Sequence, residues 1–152
     1  MVHLVYTDKR EKELALILSG KKTMVIRGAA GRKIPHSRVY AGELIYFMEK
    51  GSQKITAQAI VKDVHNYTKL LDDEIKSILE KNQAKLLLSD RQKNRWHKKC
   101  LCLVEFEQVR KIEPLAFDHQ SNMDDWLIIE KIADIVIGTS KPFNYQQAKF
   151  KK

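Results

Sequence analysis

From Lys54 to Asn66 the chain alternates, with Ile55, Ala57, Ala59 and Val61 on one side and Thr56, Gln58, Ile60 and Lys62 on the other. A period of two is the signature of a strand. This run is longer than the usual strand of about 5–6 residues, so it is expected to bend or to carry bulges that curl a sheet. Upstream, Glu43 to Glu49 sets Leu44, Tyr46 and Met48 against Ile45 and Phe47, which predicts a strand covered on both faces. Lys50-Gly51-Ser52-Gln53 between the two runs supplies a hairpin turn. Val2 to Thr7 reads as a first strand, with Val2, Leu4 and Tyr6 sharing a face. Leu101 to Val109 reads as a later one, and Pro114 marks a connection after it. The expectation is an α+β chain that is mostly β, organised around a curled sheet.

Helices fill the gaps. Asp8, with Glu11 three residues on, has the spacing of a capping box, and Leu14, Ile17 and Leu18 then form an apolar stripe. A second helix is expected from about Leu70, where Leu71, Ile75, Ile78, Leu79 and Leu86 recur at helical spacing. Asp72, Asp73 and Glu74 suit its positive N-terminal end. Trp126 to Ile137 is apolar apart from Glu130, Lys131 and Asp134. Its stripe suits a helix and its β-branched residues suit strands, so periodicity leaves both open.

Between the first helix and the next strand lies Leu18-Ser19-Gly20-Lys21-Lys22-Thr23-Met24-Val25-Ile26-Arg27. Gly20 can close a helix in the left-handed conformation. Two lysines occupy the turn and Lys22 to Arg27 forms the strand, so cations cluster where a helix end meets a strand. The same pattern also describes an ordinary helix–turn–strand with solvated lysines. Gly28-Ala29-Ala30-Gly31 continues as a surface loop carrying Arg32 and Lys33, with Arg38 beyond it. It lacks the spacing and the terminal Lys-Ser/Thr of a phosphate-binding loop. A second basic run, Arg91 to Lys99, places five lysines and arginines within nine residues, around Trp96. A stacking ring among phosphate-neutralising cations is what single-stranded nucleic acid needs. Trp96 taken alone fits a core position better than a stacking one.

Charge points the same way. The 152 residues carry a formal charge of +9, which favours a polyanionic partner, nucleic acid ahead of an anionic membrane. The 43% hydrophobic and 31% charged content is that of a globular chain. One domain is expected over residues 1–140, followed by a basic tail over 141–152. No signal peptide and no run of about 18 apolar residues is present, which predicts a cytoplasmic protein that does not span a membrane. Cys100 and Cys102 lack metal-site spacing and read as reduced, half-buried thiols.

Catalytic signatures are mostly absent. His3, His36, His65, His97 and His119 are scattered without metal-ligand spacing, and there is no Gly-x-Ser-x-Gly elbow. Neither a metal nor a cofactor is predicted. Asp72, Asp73 and Glu74 are helix-start residues, whereas paired catalytic carboxylates converge on a site from two directions.

Leu18-x-Gly20-Lys21-Lys22-Thr23-x-x-x-Arg27, then Gly42-Glu43-x-Ile45 and Ala57-x-Ala59-x-Val61-x-x-Val64, resembles the ASCH family over roughly Tyr6 to Glu107. That resemblance implies a PUA-like curled β-barrel with flanking helices. It also implies a cleft for RNA or modified nucleosides, lined by the turn lysine and the strand arginine. Some members are amidohydrolases acting on acetylcytidine. Similarity to them places Lys22 at the base position and aligns Glu80 with a second catalytic group, but Val25 stands where they carry a threonine nucleophile. Valine has no hydroxyl to activate. Other members are nucleases.

The sequence therefore supports first an RNA-binding module whose basic cleft holds a nucleotide or single-stranded RNA, through Lys21, Lys22, Thr23, Arg27, Arg32, Lys33, Arg38, Arg91, Arg95 and Trp96. The alternative is a nucleoside- or RNA-directed hydrolase using Lys22 and Glu80. A protein-interaction module with a basic surface is third.

Overall fold

The computed structural model describes residues 1–118 and 125–140. The expected basic tail and His119 lie outside these. Six strands form one sheet: β1 (Val2–Thr7), β2 (Met24–Ala29), β3 (Leu44–Glu49), β4 (Lys54–Tyr67), β5 (Cys100–Ala116) and β6 (Trp126–Ile129). Their order is β2-β5-β4-β3-β1-β6, with β1 parallel to β3 and all other neighbours antiparallel. Four α-helices flank it among the described residues: α1 (Glu13–Leu18), α2 (Asp72–Lys81), α3 (Gln83–Leu86) and α4 (Asp90–Arg95). None of them is long and apolar enough to cross a membrane.

The long alternating run curls the sheet as its length requires. The β4–β5 register shifts between Ile55 and Ala57, between Gln58 and Ile60, and between Val61 and Asp63. Each extra residue bends the strand and increases its twist. Pro114 falls within β5 rather than ending it, in the stretch between Lys111 and Leu115 that has no ladder partner on β4. A bulge is where a strand tolerates a residue with no N–H.

Curling gives the sheet an inside and an outside. Val5, Val25, Ile45, Phe47, Ala59, Val104, Phe106 and Trp126 pack into the concave core together with Ile17 of α1. On one outer flank Met24, Ile26, Leu101 and Leu103 meet Ile75 and Leu79 of α2, with Leu86 and Trp96. On the other, Leu4, Tyr46, Met48 and Ile129 meet Phe117 and Ile135. β3 is thus covered on both faces, as its alternation predicts. At about 25 cal/mol per Å² of apolar surface, burial of this kind dominates the favourable side of folding.

Several boundaries differ from the sequence reading. α1 starts at Glu13, because the Asp8 carboxylate accepts from the Glu11 amide (3.2 Å) and the Asp8 carbonyl from the Glu13 amide (3.1 Å), making a turn in place of a cap. Lys12 then enters the helix at φ 53°. Leu18 and Leu71, expected in apolar stripes, are 38% and 69% exposed, and Leu86 belongs to the separate α3. Gly20 does take the left-handed conformation, at φ +82°. Gly28 and Ala29 continue β2 instead of forming a loop. A Cβ on Gly28 would stand 2.7 Å from Leu101 Cδ2 and 2.9 Å from the Cys100 carbonyl, so the close pairing of β2 with β5 needs glycine there. Trp126 to Ile137 resolves into β6, a short 3₁₀ turn (Ile132–Ile135) and a single bridge from Val136 to Phe117.

Candidate functional site

Strand alternation decides where the arginine of the glycine–lysine turn goes. Arg27 shares the inward face of Val25, and it reaches the mouth of the curled sheet with only 9% of its surface exposed. There Nη1 donates to the Ile26 carbonyl (2.7 Å) and Nη2 to the Tyr6 carbonyl on β1 (2.9 Å). The guanidinium also lies against two indoles, 5.3 Å from the Trp96 ring centre and 5.8 Å from that of Trp126 on β6. Arg27 therefore spans the seam between β2 at one edge of the sheet and the β1–β6 pair at the other. Burial pulls it below the ordinary guanidinium range, while the charges of Glu13 and Asp125 oppose that pull. Its Nε is buried without a partner.

Two clefts share this wall. The first, about 300 Å³, is lined by Tyr6, Thr7, Asp8, Lys9, Arg10, Glu13, Arg27, Lys50, Arg91, Gln92, Arg95, Trp96 and Asp125. Six of these are cationic and three are carboxylates, so an excess of positive charge faces an opening of nucleotide-scale volume. The second, also about 300 Å³, is lined by Arg27, Gly28, Lys33, Ile34, Arg95, Trp96, Lys98, Asp125 and Trp126.

The rim is held by ion pairs. Arg91 binds Asp8 through Nη2 (2.5 Å) and Glu11 through Nε (3.1 Å). Arg95 lies 4.5 Å from the Trp96 ring centre and pairs with Asp125 at 2.6 Å, and Lys50 reaches the same carboxylate at 3.2 Å. Burial pushes the Asp125 carboxyl up, but the Arg95 hydrogen bond and the charges of Arg27 and Lys50 more than reverse this and hold it below the usual range. Tyr6 lines the first cleft, and burial pushes its hydroxyl up to about 12, so it stays protonated.

The residues singled out in the sequence divide into groups. Arg27, Arg91, Arg95 and Trp96 converge on the first cleft, and Lys33 lines the second. Trp96 is packed in the core at 9% exposure with two guanidiniums against its ring, so it is not the open stacking face expected of a single-strand reader. Thr23 lies instead along a separate groove with Gly20, Lys62 and Glu105, and the neighbouring Lys21 is exposed. Arg32 is exposed and Arg38 half-buried in the segment after β2, and neither lines the two clefts.

Lys22 is only 2% exposed. Its Nζ donates to the Leu86 carbonyl and faces Glu13 at 3.5 Å. Burial lowers its pKa, Glu13 raises it and Arg27 lowers it. Glu80 is exposed on α2 and lines neither cleft, and the carboxylate beside Lys22 is a different one. Glu13, itself 5% exposed, occupies that place and joins Lys22 to the first cleft. Its role was hidden in the sequence because Glu11 has the capping-box spacing; the available signal was a carboxylate opening the one helix that precedes the glycine turn. Lys50 and Asp125 were missed for another reason: a hairpin lysine and an acid preceding an apolar run carry no local mark of convergence. Among the described residues no cluster of three or more His, Cys, Asp or Glu is placed to hold a metal ion.

No protein-family model and no curated protein sequence matches the chain. Solved structures do. The ASCH protein of Zymomonas mobilis superposes with a TM-score of 0.57 at 15% identity, over 74% of this chain and 71% of that one. A serine-to-alanine variant of it gives 0.64 at 14%, over 86% and 89% of the two chains. A tyrosine-to-phenylalanine variant gives 0.63 at 14%, over 86% and 91%. The curled sheet and its flanking helices are thus an ASCH-like, PUA-type fold.

Proposed function

We propose that this ASCH-like chain binds single-stranded RNA and seats a nucleotide phosphate in the first cleft. The observation that carries the reading is the buried Arg27 guanidinium. It lines a nucleotide-sized cleft with an unpartnered Nε, and Arg10, Lys50, Arg91 and Arg95 line the same cleft. A desolvated guanidinium held by carbonyls is costly unless an anion or nearby carboxylates compensate it. Glu13 and Asp125 supply part of that compensation, and a phosphate would add the rest. The ASCH-like fold and the +9 charge support the same reading.

The alternative of a hydrolase using Lys22 has less support. Lys22 is enclosed by Glu13 and the Leu86 carbonyl, and the nearby Val25 offers no hydroxyl. Arg27 also bridges the seam, so the decisive variants are peripheral. A short oligouridylate titrated at low salt should bind the wild type, and Arg10→Gln with Lys50→Gln should weaken it about tenfold with an unchanged melting temperature, the loss of two charge-assisted contacts. Absence of binding by the wild type at low salt would overturn the proposal.

A further inference from the structure

The second cleft adjoins the first along a common wall. Arg27, Arg95, Trp96 and Asp125 line both. Beyond that wall the second cleft adds Lys33 from the segment following β2 and Lys98 from the turn before β5, together with the Trp126 indole. Its cations therefore outnumber its carboxylates four to one, Arg27, Lys33, Arg95 and Lys98 against Asp125. The buried Arg27 lines both openings, so its charge acts on each.

A ligand with a single phosphate can occupy only one of these clefts. The two openings meet at Arg95, which lines both and whose side chain is 45% exposed, so a chain crossing there passes from one set of cations to the other. Resting on the RNA-binding reading above, we infer that the second cleft is a subsite for the adjacent phosphate. The minimal ligand is then a dinucleotide spanning the Arg95–Asp125 pair, with Lys33 and Lys98 as the contacts that reward the second nucleotide. Gly28 belongs to this subsite as well. It forms part of the lining, and a Cβ there would stand 3.1 Å from the Lys98 Cβ.

The test compares uridine 5′-monophosphate, uridine 5′-diphosphate and the 5′-phosphorylated dinucleotide pUpU by calorimetry on the full chain at low salt. The expected result is pUpU binding at least tenfold tighter than the monophosphate. The diphosphate, which adds charge without a second sugar, should gain less than threefold. Lys33→Gln with Lys98→Gln should abolish the dinucleotide gain and leave monophosphate affinity unchanged, with melting temperature confirming the fold. A dinucleotide that binds no tighter than the monophosphate overturns the subsite and leaves the first cleft standing. So does a diphosphate that matches the dinucleotide, or a gain that survives the double substitution. Failure of all three ligands to bind overturns the RNA-binding reading itself, and the subsite with it.

Discussion

The Trp126 indole donates its N–H to Nδ1 of His3 at 3.0 Å, and this bond sets the tautomer of a histidine with no exposed surface. Nδ1 must accept, so the ring hydrogen sits on Nε2 and points at the Glu43 carboxylate, 2.9 Å away. Burial lowers the pKa of His3; Glu43 opposes that shift without cancelling it. A proton added at Nδ1 would set donor against donor and break the bond to Trp126.

Stability should therefore depend on pH through His3. The unfolded histidine binds a proton near its ordinary pKa of about 6.5, and the folded one resists it to lower pH. The contribution is complete above about pH 6.5 and is lost as pH falls toward the lowered folded value. Thermal melts from pH 7.5 to 5 should show a falling midpoint, and His3→Asn should flatten that slope at a lower overall stability. An identical slope in both proteins would place the dependence elsewhere, with His36, whose pKa burial also lowers, the next residue to replace.

The Lys22–Glu13 pair should behave as a buried ion pair. Removing one partner leaves the other charged and enclosed, which typically costs about 3–5 kcal/mol. Lys22→Ala should lower the urea midpoint accordingly, whereas Lys22→Met combined with Glu13→Gln should recover most of the loss. A double variant as unstable as the single one would show that the Leu86 carbonyl bond, not the pair, carries the stability.

Gly28→Ala should destabilise the fold by about 1–3 kcal/mol, the usual range for overpacking. The added methyl meets Leu101 and the Cys100 carbonyl on β5, and the backbone carbonyl cannot swing aside. Denaturant unfolding measures this directly, and a change below about 0.5 kcal/mol, the ordinary range of surface substitutions, would mean that the edge strand moves away freely.

Oligouridylate affinity should fall with salt by about 0.7 log units per phosphate contact for each decade of salt. With the first cleft filled the slope is about that of one contact, and a dinucleotide reaching the second should double it. A slope near zero would mean that whatever binds does so without its phosphates.

Much of the β architecture was legible because alternation is a local property. The alternation from Lys54 to Asn66 implied a bent strand, Leu44 to Met48 implied one covered on both faces, and Gly20 marked the end of a helix. Each of these depends on a few neighbouring residues and elementary sterics. Pro114 misled for the same reason: a proline reads as a break until a bulge supplies a place where no N–H is needed.

The sequence by itself determined a curled, mostly β sheet and an arginine on the strand that follows the Gly-Lys-Lys-Thr turn. Its residue alternation and its charge excess are written into the chain. Only the tertiary structure decided what surrounds that arginine. Closing the sheet brings Tyr6, Glu13, Trp96 and Asp125, from four separate stretches, around Arg27, and it leaves Glu80 outside on α2. A buried charge takes its partners from whatever the seam delivers, and that depends on sheet order and curvature, which no local spacing records.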